Sequence, residues 1–267
     1  MLGTIYTHYF VVNKVTMTWL TDAHIHLSDN EYLADLPYIL TAMDRLKIKA
    51  CCVSMDNQTS KSTLELGEKS PLVLPFIGIH PEKADDDLDS MIQLIKQNSN
   101  KISGIGEIGL DKTYVSDDTG FSRQVLVFKE LLSLAEKLGK PVSIHSRKTL
   151  DEIFSILPSY SIKGVLLHWF SGSKKQLQQA MDLGCYASYG PALVYAEDKQ
   201  VLLSLTSQDK ILVETDGPVR FSRCFGQKTA QVTFLPSVLF CAAGLLNKSY
   251  DEMLSIAEKN ASSYLGV

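Results

Sequence analysis

The sequence predicts an α/β protein that folds as a (β/α)8 TIM barrel in a single domain. Short apolar segments rich in β-branched residues alternate from end to end with segments whose apolar residues recur at helical spacing. The length of 267 residues suits one such barrel, for which about 250 residues is typical. No Gly-x-Gly-x-x-Gly motif follows the first strand, which disfavours the alternative of a doubly wound open sheet.

The predicted strands are mostly apolar throughout, as expected of parallel strands that are covered on both faces. In chain order they are Trp19–His26, Ala50–Met55, Val73–His80, Ile102–Gly109, Pro141–His145, Gly164–His168, Gly184–Ser188 and Ile211–Asp216.

The helices are predicted from apolar stripes between these strands. In Phe121–Leu138, one stripe joins Val125 to Ala135, and Gly139 followed by Pro141 is a stop signal. The weakest pattern is that of Ser60–Ser70. The other predicted helices are Leu33–Lys47, Leu88–Gln97, Leu150–Leu157, Lys174–Leu183, Asp198–Thr206, Gln231–Leu245 and Tyr250–Tyr264.

Composition limits the organisation and the location of the protein. With no domain linker, residues 19–267 are expected to form one barrel, after an N-terminal extension, residues 1–18, of uncertain order. The extension lacks the basic region and cleavage site of a signal peptide, and no apolar run of 18 residues indicates a transmembrane helix.

Five cysteines without a C-x-x-C motif favour buried, reduced thiols in a cytoplasmic protein. The oligomeric state is not indicated.

The chain carries six residues of metal-binding type where predicted strands end. Because a parallel barrel brings the C-terminal ends of its strands to one face, these side chains are expected to converge there. His24 and His26 alternate on one strand and so leave the same face, with Asp22 as a candidate acceptor for a ring N–H. Each residue alone has a structural explanation, but together they favour a metal site that activates water. The six are His24, His26, Glu107, His145, His168 and Asp216.

Six candidate ligands exceed the needs of one tetrahedral site and would serve two divalent ions about 3.5–4 Å apart. Glu107 is the natural bridge, and Asp216 can also accept the proton of the attacking water, so these two are the candidate catalytic residues. Glu214 is expected to orient a neighbouring ligand. Carboxylates suit Mg²⁺ or Mn²⁺, whereas four imidazoles also suit Zn²⁺. One ion would take His24, His26 and Asp216, and the other His145 and His168.

His80 and Arg147 are candidates for binding substrate. An imidazole donor at His80 suits a substrate oxygen, although a structural hydrogen bond explains this residue equally well. Arg147 can clamp a phosphate or carboxylate bidentately or form a salt bridge at the rim. The net charge of −4 excludes a global basic field but allows local phosphate contacts. A basic rim could come from Arg147, Lys148, Lys174, Lys175, Arg220 and Arg223.

With these residues assembled, the sequence resembles the TatD family of metal-dependent deoxyribonucleases. Six motifs occur in the family's order, cover nearly everything after residue 18 and are together highly specific. They are Asp22–His26, Gly78–Pro81, Gly106–Asp111, Pro141–Arg147, His168–Gly172 and Glu214–Pro218.

The resemblance implies an amidohydrolase-like TIM barrel that hydrolyses phosphodiester bonds in DNA, with 3′–5′ exonuclease action and magnesium dependence. Carried onto this sequence, the family's metal ligands fall on the six residues above. Glu107 stands where amidohydrolase relatives often have a carboxylated lysine, which favours the nuclease branch. Gly217, where the family often has alanine, and the loosely matching segments 219–221 and 185–189 put substrate preference in doubt rather than hydrolysis.

Two alternatives to a nuclease stay open. A small-molecule amidohydrolase or phosphoesterase would use the same metals, whereas a non-enzymatic barrel is disfavoured by the complete ligand set. A basic rim predicts DNA as the partner, with single-stranded or frayed ends as substrate and cleavage that falls with salt.

Overall fold

Eight parallel strands pair in sequence order, β1 to β8, in the computed structural model, which describes residues 18–267. The ring is closed by backbone hydrogen bonds between the end of β1 and the residues after β8. His26 N donates to Gly217 O at 2.8 Å, and Asp216 N donates to His24 O at 2.9 Å. The predicted single-domain barrel is thereby confirmed as nearly closed, while the predicted extension, residues 1–18, lies outside the described residues except for Thr18.

The eight predicted strands are all present, with ends that differ by up to three residues. β3 stops early because Gly78 N donates to the Ser54 hydroxyl at 3.2 Å instead of to a neighbouring strand. β8 stops before Asp216, which has a positive φ of 49° and so leaves the extended conformation. The strands are β1 Leu20–Ile25, β2 Ile48–Val53, β3 Val73–Ile77, β4 Gly104–Asp111, β5 Val142–Arg147, β6 Val165–Leu167, β7 Tyr186–Tyr189 and β8 Ile211–Val213.

Nine α-helices occur in the described part of the chain. The weakly predicted second helix begins earlier than its apolar pattern suggested, because Asp56 and Thr59 form a capping box around its first turn. The helices are α1 Leu36–Leu46, α2 Asn57–Lys69, α3 Leu88–Gln97, α4 Asp118–Leu138, α5 Leu150–Ile156, α6 Lys174–Asp182, α7 Glu197–Leu205, α8 Leu235–Leu245 and α9 Tyr250–Leu265.

The last helix, α9, fills the N-terminal end of the barrel. Tyr264 is buried there, and its hydroxyl donates to Val142 O at the start of β5 at 3.1 Å. Apolar side chains from six strands meet Tyr264, which is possible only in the barrel interior. The polar side chains therefore gather at the opposite, C-terminal end of the strands. The strand residues in this cluster are Ala23, Cys51, Val53, Phe76, Leu166, Tyr186 and Leu212.

Two predictions from composition are tested by the described residues. All five cysteines lie in this part of the chain and are free. Cys51, Cys52 and Cys185 are buried as expected, whereas Cys224 and Cys241 are partly exposed. No single helix within residues 18–267 is long and apolar enough to cross a membrane, and only the sharply bent pair Val232–Leu245 and Tyr250–Leu265 has that length and composition together.

Candidate metal centre

The carboxylate of Glu107 lies at the centre of the predicted ligands and is only 2% exposed. Its Oε2 is 3.4 Å from His24 Nε2 and 3.3 Å from His26 Nε2. Its Oε1 is 2.9 Å from His145 Nδ1 and 2.8 Å from His168 Nε2. The two oxygens thus face two different pairs of imidazoles, which is the division expected of a bridging carboxylate.

Glycines on both sides of Glu107 let β4 lie unusually close to β5. A Cβ at Gly106 would come within 2.9 Å of the Ser143 side chain, and one at Gly109 would come within 2.1 Å of the His145 carbonyl oxygen. Gly109 also has a φ of 148°, which side chains rarely allow. These glycines therefore explain how Glu107 and His145 come into hydrogen-bond distance.

Asp216 approaches the same centre from beyond β8. Its Oδ1 is 3.6 Å from His24 Nε2 and 3.9 Å from His26 Nε2. Burial raises the pKa of Asp216 above its usual range, and the imidazoles of His168 and His26 act in the opposite direction. Asp216 therefore joins the pair of imidazoles that faces Glu107 Oε2, as the sequence predicted.

The His24 ring has the properties of a metal donor. Its Nδ1 lies 2.8 Å from Ser143 Oγ, while its fully buried Nε2 has no hydrogen-bond partner within the described residues. Burial, and then the His168 ring stacked at 3.8 Å, lowers the pKa of His24 well below its usual range, so the ring is neutral. A buried nitrogen without a partner is costly, and a divalent cation would satisfy it. The residues present therefore fit a metal ion.

Glu107 and the imidazoles around it shift the pKa values of one another. Burial alone would raise the pKa of Glu107, but the surrounding imidazoles, His168 first, hold it well below its usual range. Burial lowers the pKa of His168, yet Glu107 outweighs this effect and raises it to about 9. His168 thus carries a proton at neutral pH that a bound cation would displace, since metal ligands must be deprotonated.

Asp111 and Ser143 orient two imidazoles of the centre by hydrogen bonds. Asp111 Oδ2 lies 2.8 Å from His145 Nε2, which turns Nδ1 of that ring toward Glu107. Glu214 Oε2 lies 4.0 Å from His168 Nδ1, too far for a hydrogen bond, and that nitrogen has no hydrogen-bond partner within the described residues. The predicted orienting contact is therefore absent there, and Glu214 accepts from Trp169 N and Ser188 Oγ instead. Sequence reasoning missed Asp111 and Ser143, although alternation along β4 and β5 places them on the faces of Glu107 and His145.

Asp22 does not have the predicted contact with an imidazole ring within the described chain. Its carboxylate accepts hydrogen bonds from His24 N at 3.3 Å, Thr215 N at 3.0 Å and Thr215 Oγ1 at 2.5 Å. Asp22 therefore joins β1 to the residues after β8, and Ser143 supports the His24 ring instead.

His80 lies beside the centre. Its contacts fit both explanations that the sequence left open, a structural hydrogen bond and a donor to a substrate oxygen. Its Nδ1 accepts from Glu82 N at 3.2 Å, so the ring proton is on Nε2, which lies 3.6 Å from Glu107 Oε1. Burial lowers the pKa of His80 to about 4, and the ring is neutral. In this tautomer Nε2 has no lone pair for a metal but can donate to a substrate oxygen.

The predicted basic rim is only partly available to a ligand. Arg147 is exposed at the end of β5, and no carboxylate of the described residues lies within salt-bridge distance of it. Arg220, by contrast, donates to Glu31 at 2.6 Å and also to Thr229. Arg147 is therefore the better candidate for a phosphate contact. Lys148, Lys174, Lys175 and Arg223 are also exposed.

Crowding next to Asp216 explains why residue 217 is a glycine. A Cβ there would lie 1.9 Å from the Tyr32 hydroxyl oxygen and 2.2 Å from Ala230 O. The Tyr32 hydroxyl donates to that same carbonyl, which fixes both groups. The family's more usual alanine would therefore not fit this chain.

We expect Gly217→Ala to destabilise the protein by about 1–3 kcal/mol, as overpacking commonly does, and to lower activity by displacing Asp216. The measurement is denaturant unfolding together with the hydrolysis rate. Gly244→Ala is the matched control, because no atom of the described residues lies within 4 Å of a Cβ there. Equal stability of Gly217→Ala and the unsubstituted protein would contradict this explanation of the glycine.

Comparison with known proteins reveals similarity over almost the whole described chain. Residues 21–266 match the family model described as TatD related DNase. The chain is 28% identical over 249 residues to the uncharacterized metal-dependent hydrolase YabD of Bacillus subtilis, covering 91% of this chain and 97% of that protein. It is 29% identical over 215 residues to deoxyribonuclease TATDN3 of Homo sapiens, covering 74% of this chain and 78% of that protein.

Among solved structures, the chain is similar to YJJV, a TatD homolog from Escherichia coli. The TM-score is 0.85 at 24% sequence identity, and the match covers 93% of this chain and 98% of the other. This similarity independently supports the barrel fold.

Proposed function

The chain belongs to the family of TatD-related DNases, and from this premise we propose that it is a deoxyribonuclease that cleaves DNA from the 3′ end. At the coarser level it is a metal-dependent hydrolase of the TatD type. The deoxyribonuclease named among its relatives supports DNA as the substrate. Single-stranded or frayed ends are proposed because Glu107, the central candidate ligand, is buried, and an unpaired strand end is less bulky than a duplex.

One observation carries the proposal, namely that the two oxygens of Glu107 face different pairs of imidazoles. A carboxylate placed in this way is suited to bridge two divalent ions. His24, His26 and Asp216 would hold one ion, and His145 and His168 the other. Mg²⁺ or Mn²⁺ fits the carboxylates, and Zn²⁺ fits the imidazoles.

The ions, when bound, supply Lewis-acid activation of a water molecule and offset the negative charge that develops on the phosphate. Asp216 accepts the proton of the attacking water. Its burial disfavours the charged form, which makes the carboxylate more basic than an exposed one. Glu107 remains ionised and keeps the imidazoles on both of its sides in place.

The substrate phosphate is bound by groups that do not hold metal. His80 donates from Nε2 to a non-bridging phosphate oxygen, because its Nδ1 is occupied by Glu82 N. Arg147 binds the phosphate charge from the exposed rim and can do so bidentately. Glu107, His24 and His168 are buried, whereas His26 and His145 are partly exposed, so this arrangement favours a substrate with an accessible phosphodiester.

The test is digestion of end-labelled single-stranded and double-stranded DNA in Mg²⁺, Mn²⁺ or Zn²⁺, with product lengths resolved. We expect stepwise shortening from the 3′ end, faster on single strands, and activity that falls as salt rises because phosphate contacts release counterions. Arg147→Ala should weaken the salt dependence, whereas Arg45→Ala, on the outer helix α1, should not. Hydrolysis of small esters or amides without oligonucleotide cleavage would overturn the proposal in favour of a small-molecule hydrolase.

A further inference from the structure

We propose that the indole of Trp169 stacks on a nucleobase next to the cleaved phosphodiester bond. This inference rests on the proposed deoxyribonuclease activity and adds a base-binding position to it. Trp169 directly follows His168, whose Nε2 lies 2.8 Å from Glu107 Oε1. The indole is therefore attached to the backbone one residue from the centre at which a phosphate would be bound.

The backbone at Trp169 is held in an uncommon conformation. Its φ is 40°, in the left-handed region that bulky residues rarely adopt. Its N–H donates to Glu214 Oε1 at 2.8 Å and to Ser188 Oγ at 3.2 Å, and both acceptors are buried. Strain of this kind persists where the surroundings impose it and is concentrated at ligand-binding sites. The structure therefore fixes the direction in which the indole leaves the backbone.

The indole belongs to an apolar wall beside the polar centre. Trp169 is only partly buried, and the Phe221 ring packs on it with 5.4 Å between centroids and 41° between planes. The wall, defined by the cluster around Phe221, is built from segments that follow β6, β7 and β8, so it lies at the C-terminal end of the barrel. Its other members are Ala192, Ala230 and Phe234, with Tyr195, Ala196, Val219, Cys224 and Phe225 packed against them.

The groups suited to phosphate lie around the ends of β3, β4 and β5. His80 presents its Nε2–H there, and the exposed Arg147 is close enough to lower the pKa of Tyr114 in opposition to burial. A nucleotide combines a charged phosphate with an apolar, flat base. Its phosphate matches the His80 and Arg147 side, and its base matches the wall that contains Trp169. Because every base has a π-face, aromatic stacking of this kind accepts all four bases.

The first experiment compares two substrates with three proteins, namely the unsubstituted protein, Trp169→Ala and Trp169→Phe. One oligonucleotide carries all its bases, and the other carries a stable abasic analogue at the two nucleotides that flank the cleaved bond. On the intact oligonucleotide, Trp169→Ala should raise KM about tenfold, within the range that stacking of a base contributes. On the abasic substrate the same substitution should change KM by less than about twofold, while Trp169→Phe should retain near-normal KM on both.

The second experiment measures binding without catalysis. The sequence contains two tryptophans, so Trp19→Phe leaves Trp169 as the sole indole. In the presence of a chelator, single-stranded DNA should quench its fluorescence, and the abasic oligonucleotide should quench it much less. Phe240→Ala, which removes a 71% exposed ring on α8, is the control and should alter neither KM nor quenching.

The outcomes separate this inference from the proposed function. If the unsubstituted protein cleaves no oligonucleotide, the proposed function fails. If it cleaves intact and abasic substrates equally well, and Trp169→Ala raises KM equally on both, the proposed function stands and the stacking role is overturned. A large KM effect on both substrates with loss of thermal stability would assign Trp169 to the support of His168 and would also overturn the inference.

Discussion

Glu107→Ala should eliminate binding of both metal ions and lower kcat/KM by about 10⁴-fold or more, because ions in such sites supply several kcal/mol of transition-state stabilisation. Glu107 Oε2 lies 3.4 Å from His24 Nε2 and Glu107 Oε1 lies 2.8 Å from His168 Nε2, so this one carboxylate offers an oxygen to each half of the centre. The measurement is metal stoichiometry after equilibrium dialysis, together with the rate of DNA cleavage.

Glu107→Gln tests whether the negative charge itself is needed, because it keeps the side-chain volume and one carbonyl oxygen but removes the charge. We expect it to bind at most one ion weakly and to be nearly as inactive as the alanine variant. Glu68→Ala is the control, since Glu68 is an exposed residue that contacts Lys101 on the outer surface. Two ions retained by Glu107→Ala would contradict the bridging role.

Asp216→Asn should lower kcat by about 10²–10⁴-fold, the range typical of losing a general base, with a much smaller change in KM. The asparagine keeps an oxygen near His24 and His26 but cannot accept the proton of the attacking water. The ion held by His145, His168 and Glu107 should still bind, because none of their contacts involves Asp216 Oδ1. Single-turnover kinetics with parallel metal analysis distinguishes these effects.

A suitable control for Asp216→Asn is Asp198→Asn, which makes the same chemical change at an exposed position of α7. It should leave both kcat and metal content unchanged. Turnover by Asp216→Asn at the normal rate would exclude Asp216 as the base, whatever its effect on metal content.

The fold was predictable because its signals are local. Each strand is a short apolar run, and the helices between them have continuous stripes, so the order and number of elements follow from periodicity. The strand ends were not predictable to the residue. Just after β3, Gly78 N donates to the Ser54 hydroxyl, and after β8 the residue Asp216 has a positive φ. Neither feature is visible in a one-dimensional pattern.

The convergence of the site was predictable, but its internal contacts were not. Strand ends indicate that His24 and Glu107 meet at one face. Alternation cannot tell which neighbour supports which ring. It favours Asp22 as the partner of the His24 ring, whereas Ser143 makes that contact and Asp22 binds Thr215. The nitrogen that each imidazole turns toward Glu107 depends on partners such as Asp111, which are set by spacing between adjacent strands.

The barrel closes where hydrogen bonds join β1 to the residues after β8, so closure requires both ends of the chain to have been synthesised. The Asp22 carboxylate accepts a hydrogen bond from Thr215, 193 residues away in sequence. Asp216 N donates to His24 O in the same place. A nascent chain that has not yet emerged beyond residue 216 carries imidazoles but lacks the carboxylate that completes one half of the centre. Truncated translation products are therefore expected to lack a complete centre, which can form only after the first and last strands have met.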